Sequence, residues 1–153
     1  MREAGLADVE DIGRMLDAFN REYDDPTPGP QAIARRFGEL LEAGDTAVLV
    51  TGDGPDGIAV LRFPVSIWTP GLECYLAELY VTPPRRGQGL GRALMERAIS
   101  LAKERGADGM DLNTSVDDEA ARALYESLGF TNREGEPDGP SMLFYELNWS
   151  ESS

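Results

Sequence analysis

The chain has no histidine, a single cysteine (Cys74) and a single lysine (Lys103) among its 153 residues. Without histidine, a Ser-His-Asp triad, a histidine-ligated metal and a histidine general base are all excluded, and no metal is expected. One cysteine cannot form an intramolecular disulfide. No run of eighteen apolar residues is present, so no membrane span is expected. The N-terminus MREAGLADVEDIG is acidic and polar where a signal peptide would be basic and then apolar. A soluble, cytoplasmic protein is the expectation. Positive charge is also scarce: 14 basic residues against 28 acidic ones give a net charge of -14. Such a chain repels a nucleic-acid backbone unless its basic residues are concentrated. Arg85, Arg86 and Arg92 do fall within eight residues, enough for a local anion site and too few for a nucleic-acid track. The negative field itself reads as solubility or as attraction for cationic acceptors such as amines.

Hydrophobic residues make up 41% of the chain, which suffices for one compact domain over 1–149, followed by a frayed tail at 150–153. A first helix is expected near Asp8, with Ile12, Met15, Leu16 and Phe19 on its apolar face, ending before the loop REYDDPTPGP. Pro30 suits the first turn of a second helix, which carries Ile33, Phe37, Leu40 and Leu41 and stops at Gly44. Three β-rich runs follow at 46–51, 57–68 and 74–81, separated by short turn-rich stretches, and predict an antiparallel meander in which Pro64 ends or bulges the middle strand. Leu90, Leu94, Ala98 and Leu101 predict a helix ending near Gly106, and GMDLNT at 109–114 reads as a strand. Ser115 and Asp118 can form a capping box for a helix over about 117–128, closed by Gly129, and SMLFYEL at 141–147 reads as a last strand.

The segment RRGQGLG at 85–91 opens a helix with three glycines. Each forfeits about 1 kcal/mol of helix propensity relative to alanine, so the exposed backbone must serve a purpose. Without Cβ atoms, Gly87, Gly89 and Gly91 let an anion approach the free amides of the first turn, at the positive end of the helix dipole. Arg85 or Arg86 adds a fork of donors suited to a diphosphate. A Walker A loop requires a lysine that is absent here. A Rossmann fingerprint requires G-x-G-x-x-G directly after a strand. These glycines are spaced by twos after Thr82-Pro83-Pro84, although Asp111 stands where a ribose-binding acid would.

The pattern R-x-x-G-x-G at Arg86, Gly89 and Gly91 after AELYV, together with ARALYESLGF at 121–130, resembles the two hallmarks of the GNAT superfamily of N-acetyltransferases, in the right order across the chain. The resemblance implies a mixed α/β fold. Its central sheet would be mostly antiparallel, with six to seven strands, flanking helices and a splayed parallel pair formed by strands 74–81 and 109–114. It also implies acetyl-CoA as acyl donor. Its pyrophosphate would lie on Arg86, Gly87, Gln88, Gly89, Leu90, Gly91 and Arg92, and its pantetheine arm along Leu79, Tyr80 and Val81, with the N–H groups near Tyr80 and Val81 supporting the oxyanion.

By the same resemblance Tyr125 is the acid that protonates the leaving thiolate; the residue also sits on an apolar helix face, with Phe130 placed to pack on it. Glu78 stands where several members place a general base, and a carboxylate merely paired with an arginine is the other reading. Asp118 departs from the asparagine common at this cofactor-contact position and reads first as a helix cap. Asn113 is a further polar contact for pantetheine or acceptor. Cys74 could carry an acyl group, but a lone cysteine without histidine reads as a buried small hydrophobe. The acceptor site would be built from 19–25, 62–68 and 132–140, where Glu22, Asp24 and Asp25 could hold a cationic amine and Tyr23 or Trp68 could stack on it. The implied reaction is transfer of an acetyl group to a primary amine by direct attack in a ternary complex. The acceptor is a small-molecule amine, with a protein acceptor and a homodimer left open and no nucleic-acid or membrane partner. The alternative is a non-catalytic acyl-CoA-binding module.

Overall fold

The computed structural model describes residues 1–149; the tail expected at 150–153 lies outside them. The chain divides into two compact units, Met1–Leu112 and a second beginning at Asn113. Its elements run β1 (Arg2–Glu3), α1 (Val9–Glu22), α2 (Pro30–Ala43), β2 (Thr46–Thr51), β3 (Gly57–Arg62), β4 (Tyr75–Val81), α3 (Leu90–Glu104) and α4 (Glu119–Ser127). Among the described residues no helix is long and apolar enough to cross a membrane.

The first unit carries an antiparallel sheet in the order β1-β2-β3-β4. Strands β2 and β3 are buried almost throughout, so both of their faces must be covered. One face packs Val48, Val50, Ile58, Val60 and Tyr80 against Ile12, Met15 and Leu16 of α1 and Phe37 of α2. The other faces α3, which touches β2, β3 and β4 and buries Leu94, Met95, Ala98 and Leu101. Helices α1 and α2 meet at Gly13, where an added Cβ would lie 2.2 Å from the carbonyl oxygen of Pro30. That close approach explains a glycine inside a helix, at the point where proline opens α2. Asp8 stands at the start of α1, but its side chain does not cap the helix; it takes a bidentate pair from Arg2 at 2.7 and 2.9 Å and the Gly5 N–H at 2.8 Å. The β1 strand that carries Arg2 was not foreseen, since two residues show no alternation.

A register shift between β3 and β4 changes one face assignment. Val60 pairs with Glu78 and Leu61 with Leu76, which leaves Ala77 as the extra residue of a bulge. Simple alternation would place Ala77 with Leu79 and Leu76 with Glu78. In the structure Ala77 packs on the α1 side of the sheet, and Leu76 lies opposite Leu61. Glu78 and Tyr80 keep a common face, opposite Val60 and Ile58.

The mixed α/β architecture agrees with expectation, but the sheet holds four strands among the described residues, not six to seven. The 109–114 run, broken by Gly109, Asp111 and Asn113, is poor strand material. Only parallel bridges form, Leu72↔Ala107 and Tyr75↔Asp111, the latter through Leu76 N–H to Asp111 O at 2.9 Å and Asp111 N–H to Cys74 O at 3.0 Å. The middle strand ends at Arg62, two residues before Pro64, whose missing N–H cannot extend the ladder. The 141–147 run makes one bridge, Arg133↔Ser141, and then continues without forming a strand, because a strand exists only where a neighbour takes its N–H and C=O groups.

In the second unit, Asp118 itself is the N-cap of α4, accepting the Ala121 N–H at 3.0 Å; the capping box with Ser115 gives way to a turn in which Ser115 Oγ accepts the Asp117 N–H. The helix closes as expected. Gly129 takes the left-handed conformation, and the N–H groups of Gly129 and Phe130 return to the carbonyls of Glu126 and Tyr125. This is a Schellman motif, and Phe130 meets the Tyr125 ring edge-on at 5.9 Å across it.

Candidate functional site

After β4 the chain makes a single 3-10 turn at Pro83–Arg85 and enters α3 at Leu90. Gly87 and Gly89 adopt φ of 77° and 82°, which side chains disfavour, and a Cβ at either would meet nothing within 4 Å. Both glycines are therefore demanded by the backbone, and both border open space. Gly89 caps α3 without any side chain, no acidic residue occupies the first turn, and Gly91 and Arg92 follow as its second and third residues. A helix start with no capping side chain and an arginine at its positive end suits an external anion.

The neighbouring arginines are arranged differently from the expectation that one of them faces the ligand. Arg85 pairs with Asp56 at 3.2 Å. Asp56 in turn accepts the Thr51 hydroxyl and, through its carbonyl, the Thr82 N–H, so Arg85 ties the turn to the β2–β3 hairpin. Arg86 donates Nε to the Val81 carbonyl at 2.9 Å and both terminal nitrogens to Glu22 at 2.7 and 2.8 Å. Its guanidinium lies 5.5 Å from the ring centroid of Tyr80, whose hydroxyl donates to Glu22 at 3.1 Å and whose ring stacks on Phe19. The Arg86 hydrogen bonds hold the Glu22 carboxyl below its usual range, while burial and Glu22 push the Tyr80 phenol up. Glu22 is thus engaged in bracing the turn, not held out for a cationic amine. Gln88 reaches Pro84 O at 3.5 Å, and Arg92 lies 4.0 Å from Glu96.

Glu78 is half-buried on the same face as Tyr80. Burial first, and the negative charge of Asp25 second, push its carboxyl upward, which moves a carboxylate toward the range where a base works near neutral pH. Leu79 pairs with Ala59 and Val81 with Gly57, on the way into the turn. Cys74 is only 2% exposed, and burial pushes its thiol up to about 11. It is a small buried hydrophobe, unsuited to carrying an acyl group.

In the second unit Asn113 is the first residue, and Asp118 is committed to its cap. Ala121, Leu124 and Tyr125 of α4 are half-buried, as is Leu128 at its C-terminal cap. Burial, followed by the charge of Asp118, pushes the Tyr125 phenol upward, so the group stays protonated and able to donate at neutral pH.

The model of the acetyltransferase (GNAT) family matches residues 14–130, which take in the glycine turn and Tyr125. The chain belongs to the acetyltransferase (GNAT) family. This GNAT chain is 42% identical to a crystallised protein from Arthrobacter sp. FB24, named as a candidate acetyltransferase, over 97% of this chain and 94% of that one, with a TM-score of 0.88. It is 40% identical over 86 residues to mycothiol acetyltransferase of Beutenbergia cavernae, covering 54% of this chain and 27% of that protein. It is 45% identical over 58 residues to the ribosomal protein bS18 alanine N-acetyltransferase of Escherichia coli K12, covering 38% and 39% of the two chains. The GNAT chain thus spans only about a quarter to two fifths of these two curated relatives.

Three partners escaped sequence reasoning: Glu22 for Arg86, Asp56 for Arg85 and Asp25 for Glu78. Each is remote in sequence from the residue it affects, and no local periodicity links them. Only the approach of the α1 end and the β2–β3 hairpin to β4 and its turn brings them together.

Proposed function

We propose that this chain is an acyl-CoA-dependent N-acyltransferase that moves an acetyl group from acetyl-CoA to a primary amine by direct attack in a ternary complex. The observation that carries the reading is the helix start at Gly89, without a capping side chain, bordered by open space at Gly87 and Gly89 and lying within the segment matched to an acetyltransferase family. Amides of 87–92 would hold the pyrophosphate, and the backbone of Leu79, Tyr80 and Val81 the pantetheine arm. Arg86, neutralised by Glu22, acts as the clamp that fixes the turn to β4. Bound acetyl-CoA would supply the thioester carbonyl that the amine attacks, forming the C–N bond as the C–S bond breaks.

Glu78, with its raised affinity for a proton, takes the proton that the ammonium must lose. Tyr125, protonated at neutral pH, gives its phenolic proton to the leaving sulfur. Asn113 is a polar contact for the pantetheine or the acceptor, and Asp118 contributes by fixing the start of the helix that carries Tyr125. The acceptor is a small-molecule amine, consistent with the negative charge of the chain. The protein works as one domain in a cytoplasmic setting.

The test is release of free thiol from acetyl-CoA across a panel of amines, amino acids and N-terminal peptides. Turnover with at least one amine supports the reading. Tight coenzyme A binding without turnover on a broad panel would replace it with an acyl-CoA-binding module. With an active amine in hand, Tyr125→Phe should lower kcat about tenfold or more, an effect above ~1.4 kcal/mol, and leave coenzyme A affinity unchanged.

A further inference from the structure

Asp56, in the hairpin between β2 and β3, holds the segment that leads from β4 into α3 through both its main chain and its side chain. Its carbonyl accepts the Thr82 N–H at 2.9 Å and the Thr82 hydroxyl at 3.2 Å. One carboxylate oxygen pairs with Arg85 at 3.2 Å, and the other accepts the Thr51 hydroxyl at 2.7 Å. Pro83 and Pro84 have no N–H, so Thr82 is the only backbone donor over 82–84, and Asp56 receives it. The hairpin leaves room for this carboxylate: a Cβ at Gly52 would lie 2.9 Å from it. The hairpin is itself braced from two helices. Arg14 of α1 donates to Pro55 O at 3.3 Å, and a Cβ at Gly57 would lie 3.2 Å from Leu94 of α3. A carboxylate that only closed the hairpin would need Thr51 alone. The bonds to Thr82 and Arg85, far along the chain, serve the turn.

We infer, given the coenzyme A reading of the turn, that Asp56 is a positioning residue for the donor: acting through Arg85 and Thr82, it fixes the turn so that the amides of 87–91 converge on one anion. This role and its rivals differ in sign. Were Arg85 a direct phosphate ligand, Asp56 would compete with the phosphate for it, and removing the carboxylate would tighten binding. Coulomb attraction alone gives the same sign, since a negative charge beside an anion site is lost. A positioning residue gives the opposite sign. Without its partner, Arg85 no longer ties the turn to the hairpin, the amides lose their common aim, and the anion is held less well. A diphosphate gathered by several N–H groups is sensitive to such a change, because each bond depends on angle as well as distance.

Isothermal titration of the full chain with coenzyme A tests the role, with Tm and far-ultraviolet circular dichroism recorded for each variant. Asp56→Asn keeps an acceptor for the Thr51 hydroxyl but loses the ion pair, and should weaken coenzyme A binding about tenfold. Arg85→Gln should do the same, and its side chain is 47% exposed, so no core contact is removed. The double variant should bind no more weakly than either single one, because the two residues act as a unit. Arg85→Lys, which keeps the cation, should bind coenzyme A as the wild type does. Tighter binding by Asp56→Asn would overturn the proposal. So would unchanged affinity in both single variants with only Tm lowered, which is the mark of a purely structural pair, or strictly additive losses in the double variant. A wild type that binds no coenzyme A would remove the donor reading itself and leave Asp56 with nothing to position.

Discussion

Glu22 at the end of α1 and Arg86 in the turn before α3 form a bidentate ion pair across 64 residues of sequence, at 2.7 and 2.8 Å. The pair is partly exposed, with side-chain accessibilities of 28% and 40%, so its contribution to stability is discounted to about 0.5–1 kcal/mol. A double-mutant cycle of Glu22→Gln and Arg86→Gln, read by urea unfolding, should show a coupling of that size. The Arg86 change should also weaken coenzyme A binding by loosening the turn, whereas strict additivity and unaltered affinity would mean that the pair braces nothing.

The contact between α1 and α2 rests on Gly13. A methyl group there would sit 2.2 Å from a backbone oxygen, and backbone cannot step aside as a flexible side chain can. Gly13→Ala should therefore cost about 1–3 kcal/mol, despite the better helix propensity of alanine. A rise in Tm in this variant would show that the helices separate at little cost.

Asp8 is held at a pKa of about 2, mainly by the Arg2 hydrogen bonds and then by the Gly5 N–H, against an ordinary value of 3.8. A lowered folded-state pKa stabilises the fold above the unfolded value, and that stabilisation is lost as the pH falls through the folded one. The stability gap between the wild type and Asp8→Asn should accordingly be constant above about pH 5 and close between pH 4 and pH 2. Thermal melts across that range provide the check, and a gap that persists at pH 2 would assign the effect to shape instead of charge.

Glu78 has the opposite sign. Its raised pKa, from burial and Asp25, means that the fold gains stability with the carboxyl protonated and loses it as the pH rises through the folded pKa. Glu78→Gln should thus raise Tm at pH 7–8 relative to the wild type, with the advantage vanishing in acid, and should remove the acidic limb of the kcat/KM profile. A stabilised protein that retains this limb would place the base elsewhere.

Much of this was legible in the sequence because it was encoded locally. Pro30 and Gly44 bound α2 as read, Gly129 closes α4 with Phe130 against Tyr125, and the glycines of 87–91 announced the turn. What could not be read depended on distant partners. The Ala77 bulge exists only in register with β3, Arg86 meets Glu22 through the packing of α1, the 109–114 run is interrupted by Gly109, Asp111 and Asn113 and keeps only the Tyr75↔Asp111 bridge, and the 141–147 run is a strand in composition that makes only the Arg133↔Ser141 bridge. The charge of the arginines beside the turn was visible; the carboxylates that neutralise them were not.

The central claim, that the segment from β4 into α3 is a coenzyme A site, is tested most directly by thermal shift with coenzyme A and with NAD, on the wild type and on Gly89→Val. A ligand at a hundred times its Kd stabilises the native state by about 2.7 kcal/mol, worth roughly 5–10 °C in a domain of this size. We predict that shift for coenzyme A on the wild type, none for NAD, and its loss in Gly89→Val. Protection by NAD, or equal protection of the variant by coenzyme A, would contradict the account.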